Sequence, residues 1–71
     1  MRYVVIVEEG ETSYGAYVPD LPGCVAAAET QEEVLRLIHE AIEFHLEGLR
    51  EAGLPVPTPA SHSEYVDVPA V

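Results

Sequence analysis

Residues 30–55 decide which architectures are open to this chain. The segment starts Thr30-Gln31-Glu32-Glu33, a capping box in which the Thr30 hydroxyl meets the amide of Glu33 and the Glu33 carboxylate returns to the cap. It ends Gly53-Leu54-Pro55, a glycine stop followed by a proline terminator. The spacing predicts one helix running to about Ala52, roughly 30 Å long at 1.5 Å per residue. In a chain of 71 residues, a helix of that length leaves room for one small sheet and one core, with no second domain.

On a helical wheel Val34, Leu35, Leu37, Ile38, Ala41, Ile42, Phe44, His45, Leu46 and Leu49 fall within an arc of about 200°. A helix lying on one sheet needs an apolar stripe of around 100°. The surplus flank, either Leu37 with Phe44 or Leu35 with Leu46, is expected to be covered by the C-terminal tail or by a second copy of the chain. The opposite face carries Arg36, Glu40, Glu43, Glu47, Arg50 and Glu51 and reads as solvated, with pairs such as Glu32 and Arg36 along it.

The residues ahead of the helix supply the sheet. Residues 3–7, Tyr-Val-Val-Ile-Val, read as a strand buried on both faces. Turn chemistry at residues 9–13 and a second strand at residues 14–18 complete a hairpin, which Pro19 stops. Residues 19–23, Pro-Asp-Leu-Pro-Gly, form a stiff loop with two fixed φ angles and one permissive glycine. Residues 25–28 form a third strand, where three alanines let a helix lie close to the sheet. Beyond the helix, residues 55–59 form an extended proline-rich connector. Residues 65–68, Tyr-Val-Asp-Val, have the pattern of a last strand, at the sheet edge or on a partner. The expected class is therefore α+β: a three- to four-stranded antiparallel sheet in β-β-β-α-β order with one long helix packed across it. The chain reads as a single domain, with sheet and helix in residues 1–54 and the connector and edge strand in residues 55–71.

Charge bears most directly on function. Thirteen acidic residues against three Arg and no Lys give a formal net charge of −10. Nucleic-acid affinity comes mainly from neutralising phosphates with Lys and Arg, so direct DNA or RNA binding is not expected. Anionic membranes are disfavoured for the same reason, and no apolar run approaches the roughly 18 to 20 residues of a spanning helix. A basic protein partner is favoured by long-range attraction. The first residues lack the apolar core and cleavage site of a signal peptide, which points to the cytoplasm.

Few residues suggest catalysis. Cys24 is the sole cysteine, so no intramolecular disulfide and no two-thiol metal site can form, and a small buried thiol is its expected role. His39 and His45 are six apart on the helix, about 120° around the wheel, and cannot ligate one metal together. His39 and Glu43 have workable spacing but no third ligand. His45 falls near the centre of the apolar arc and reads as a core or interface histidine. Asp20 and Glu29 are a conceivable carboxylate pair for acid–base chemistry. The glycines are scattered, with no phosphate-binding loop. No cofactor and no metal is expected.

The order of these features resembles the HicB-like antitoxin family of toxin–antitoxin systems. The resemblance rests on tyrosines at 14 and 17 in the hairpin, the segment Val18-Pro19-Asp20-Leu21-Pro22-Gly23-Cys24, the helix start Glu29-Thr30-Gln31-Glu32-Glu33, and Gly53-Leu54-Pro55-Val56-Pro57 after it. It covers roughly residues 1–60. Family members often have a glycine just before the helix, where this chain has Ala28-Glu29-Thr30. The resemblance implies a non-catalytic antitoxin whose partner is a small basic HicA-type ribonuclease toxin, blocked by an acidic surface that keeps RNA out. Longer family members add a C-terminal DNA-binding domain that this chain does not show, so operator binding is not expected. Glu40, Glu43, Glu47 and Glu51 on the acidic helix face are the candidate toxin-binding residues, with the exposed sheet edge as the alternative surface. Leu35, Leu37, Phe44 and Leu46 are the candidates for self-association into a homodimer or higher oligomer. Two readings stay beside this one: a stand-alone oligomeric module that binds some other protein or ligand, and a small acid–base enzyme using Asp20 or His45.

Overall fold

Three short strands and one helix follow one another in the computed structural model, which describes residues 1–70. Strand β1 spans Ile6–Glu9, β2 Tyr14–Tyr17 and β3 Val25–Ala28, and helix α1 spans Gln31–Glu51. The sheet is antiparallel in the order β1-β2-β3, with Ile6 opposite Tyr17 and Tyr17 opposite Val25. This is the expected α+β architecture with the smaller of the two strand counts. Residues 65–68 lie in no ladder.

Alternation along the strands sets the two faces of the sheet. Val7, Ala16 and Ala26 form one cross-strand row and Tyr14 pairs with Ala28; all five pack into or against the core under α1. The alanines keep this face shallow, so the helix can sit close to it. Val34 and Ile38, one turn apart, fill the contact at 0% and 2% exposure. With Ala16, Val18, Leu21 and Cys24 they complete a core of six buried residues. The opposite face carries Ile6, Tyr17 and Val25 in a single row open to solvent, where Val25 is 63% exposed.

The first strand is shorter than its β-branched run suggests. Continuing the β1–β2 register would place Val5 opposite Val18 and Val4 opposite Pro19. The Val18 amide faces the other neighbour and donates to the Cys24 carbonyl at 3.3 Å, so the next rung toward β1 falls to Pro19, which has no amide to offer. Residues 3–5 are thus left without a ladder partner, and β1 is an edge strand with one covered face rather than a strand buried on both.

Both ends of α1 follow their sequence signals. Thr30 is extended (φ −128°, ψ 155°) and its Oγ1 accepts from the Glu33 amide at 3.1 Å. The return half of the capping box does not form, because the Glu33 carboxylate turns to Arg36 at 3.6 Å. At the other end Gly53 takes φ 71°, its amide donates to the Arg50 carbonyl at 3.1 Å, and the Leu54 amide donates to the Leu49 carbonyl at 2.9 Å. That pair of bonds is a Schellman motif, which needs the left-handed backbone that glycine provides.

Candidate functional site

The loop between β2 and β3 is two turns in series. Pro19 opens the first, closed by the Leu21 amide donating to the Val18 carbonyl at 3.0 Å. Pro22 opens the second, closed by Cys24 donating to Leu21 at 3.1 Å, with Gly23 at φ 85° in the position where a type II turn requires positive φ. Leu21, the residue shared by both turns, is driven fully into the core. Asp20 is left pointing out of it.

The Asp20 carboxylate holds the tail of the chain. Its Oδ2 accepts from the amides of Ala60 and Ser61, each at 3.0 Å, and its Oδ1 accepts from the Ser61 hydroxyl at 2.9 Å. These donors, the Ser61 amide foremost, hold the carboxyl below the ordinary aspartate value. The Tyr3 hydroxyl donates to the Pro57 carbonyl and fixes the connector a few residues earlier. Asp20 is thus committed to structure. An ionised carboxylate with three donors on it is a weaker proton acceptor than a free one. Cys24 is buried, and burial pushes its thiol up, away from the reactive thiolate.

The apolar flanks of α1 have separate fates. Leu35 and Leu46 line an open cleft of about 510 Å³ with Tyr3, Val5, Ile38 and Ile42, on the β1 side of the sheet. Leu37 and Phe44 are on the other flank, over the β3 side, where Phe44 is 80% exposed. Ser61, His62 and Ser63 of the tail run beside Arg2, Tyr3, Val4 and Val5. His45, between the flanks, is half-buried.

The polar face of α1 is unequally free. Arg36 bonds Glu40 at 2.8 Å and approaches Glu33, rather than pairing with Glu32, and His39 lies 2.7 Å from Glu43. Among the described residues Glu47 and Glu51 form no ion pair, which leaves their carboxylates unshared. Tyr14 donates to Glu9 at 3.2 Å, and the nearby carboxylate raises its phenol above the ordinary value. Among the described residues no three His, Cys, Asp or Glu side chains converge, and no helix is long and apolar enough to cross a membrane.

The structure presents a helix braced on a small antiparallel sheet, with a structural loop, an open apolar cleft and a net acidic charge. Its kinship is direct: the sequence model of the HicB-like antitoxin of bacterial toxin–antitoxin systems matches residues 3–71, and the chain belongs to that family. The match runs past residue 60, taking in the tail that Asp20 holds. Antitoxin HicB 2 of Photorhabdus laumondii is 36% identical over 99% of this chain and 51% of its own length. An uncharacterized 14.9 kDa protein of Haemophilus phage HP1 is 35% identical over 97% of this chain and 52% of its own. This chain thus spans about half the length of these curated relatives. A shorter relative, a UPF0150 protein of Thermoplasma acidophilum, is 38% identical over 80% of this chain and 84% of its own. Among solved structures, a chain of the HicA3 and HicB3 toxin–antitoxin complex superposes with a TM-score of 0.71 at 28% identity, over 84% of this chain and 70% of that one.

Proposed function

We propose that this chain is a cytoplasmic, non-catalytic antitoxin that binds a small basic HicA-type ribonuclease and keeps mRNA from its surface. The observation that carries the reading is the family match across residues 3–71. The structural likeness to a chain of a HicA–HicB complex and the formal charge of −10 support it. A ribonuclease that binds RNA presents positive charge, and an acidic protein competes with RNA for that charge.

The toxin-facing residues are assigned to the polar face of α1: Glu40, Glu43, Glu47 and Glu51. Glu47 and Glu51 are the first to meet a basic partner, because the carboxylates of Glu40 and Glu43 are already shared with Arg36 and His39. Exposed charges of this kind steer encounter and depend on ionic strength.

The test is a capture experiment from the native host at low salt, followed by mass spectrometry and an RNA-cleavage assay on what elutes. A small basic ribonuclease, released by high salt and inhibited by adding the chain back, is the expected result. Recovery of the bait alone would turn the assignment toward a stand-alone oligomeric module.

A further inference from the structure

The molecule exposes more surface than a chain of its size needs to. A compact monomer of 7.7 kDa has about 4,300 Å² of accessible surface, whereas this one has 5692 Å². It is elongated as well, at 51 × 27 × 16 Å with a radius of gyration of 14.2 Å, against roughly 11 Å for a compact domain of this length. The surplus of about 1,400 Å² exceeds the roughly 800 Å² that each partner buries in a standard interface.

Two complementary features contribute to that surplus. The tail segment Tyr65-Val66-Asp67-Val68 has strand pattern, yet Tyr65, Val66 and Val68 are 99%, 80% and 77% exposed and lie in no ladder. Among the described residues the β3 edge has no neighbouring strand; it carries no charged side chain, and borders Val25 on the outer face and the Leu37 and Phe44 flank on the helix face.

The tail does not satisfy its own sheet. Tyr65 lies on the β1 side, with an open cleft between it and Val5, Ile6 and Val7. Glu8 and Glu9 on that strand repel Glu64 and Asp67 in the tail. The β3 edge is on the far side of the sheet, out of line with its own tail.

We infer that two copies of this chain exchange residues 65–68, each adding them as a fourth strand to the β3 edge of the other. In the register that suits both faces, Val66 and Val68 turn under the partner helix beside Leu37 and Phe44. Tyr65 then lies on the outer face near Val25, and Asp67 reaches solvent. The Asp20 clamp sets where the exchanged segment leaves the body of its own chain. The exchange closes as a two-fold dimer and removes both β3 edges from solvent. Two chains of charge −10 repel, so the dimer tightens as salt rises, the reverse of an acidic chain on a basic toxin. The inference therefore stands or falls separately from the toxin assignment.

The test is sedimentation equilibrium of the purified 71-residue chain at low salt and at about 0.5 M salt, where screening is nearly complete, with amide exchange read in parallel. A mass of twice 7.7 kDa is expected, with the Val25–Ala28 amides protected. The double variant Val66→Asp with Val68→Asp, at two exposed positions outside the core, is expected to dissociate at least about tenfold more readily and to lose that protection. Phe44→Glu is expected to do the same from the acceptor side. A 7.7 kDa monomer under both conditions, or a dimer that neither variant weakens, would overturn the exchange.

Discussion

At the level of single residues, the Pro-Asp-Leu-Pro-Gly loop divides its tasks without overlap. The prolines and Gly23 shape the two turns, Leu21 plugs the core, and Asp20 grips the tail. Leu21→Ala leaves a cavity where exposure is now zero, and a loss of about 2–5 kcal/mol is expected in denaturant unfolding. Asp20→Ala is expected to leave the sheet and helix folded while the amides of Ala60 and Ser61 lose their exchange protection. The pH dependence follows from the lowered carboxyl. A group whose pKa is lower when folded contributes fully above its unfolded value and loses that contribution as pH falls through its folded value. The tail is therefore expected to stay clamped through the ordinary aspartate value of 3.8 and to release below it, read as the exchange of Ser61 against pH. The two turns were legible from Pro19, Pro22 and Gly23 because turn chemistry is local. The clamp was not, because Asp20 and Ser61 are forty-one residues apart and nothing in either neighbourhood names the other.

Among the secondary-structure elements, α1 was the most legible, and its two caps fall where Thr30 and Gly53 place them. Thr30→Ala removes the hydroxyl that meets the Glu33 amide, and a loss of about 1 kcal/mol is expected in thermal unfolding. The three strands ahead of the helix were legible in order, whereas the last strand expected at residues 65–68 lies in no ladder, and the alanines of β3 do give the helix its close seat. Ala26→Leu is expected to force α1 off the sheet at a cost of about 1–3 kcal/mol, measured by the same unfolding. The start of β1 was misread because a β-branched run reports propensity, whereas pairing depends on what stands opposite; here the next rung falls to Pro19, which has no amide to give. The wheel showed that α1 carries more apolar surface than one sheet covers. It could not choose a flank, and the structure leaves one exposed residue on each: Leu35 beside half-buried Leu46 in the cleft on the β1 side, and Phe44 beside half-buried Leu37 on the other flank.

For the whole molecule, charge and family membership point the same way. A chain of formal charge −10 belongs to the HicB-like antitoxin family, and the proposal built on both is a basic partner met by the polar face of α1. The order of motifs carried the family, while the proposed toxin-facing surface rests on which carboxylates are already paired, a matter of side-chain geometry that spacing does not give. Replacing Glu47 and Glu51 with Lys is expected to slow association with a basic toxin by about tenfold at low salt and to leave the fold intact, since both are exposed. The most direct measurement of the central claim is RNA cleavage by a HicA-type toxin of the same host, followed as this chain is titrated in at low and at high salt. Stoichiometric inhibition at low salt that weakens steadily as salt rises is the predicted result, and undiminished cleavage at low salt with the chain in excess would contradict it.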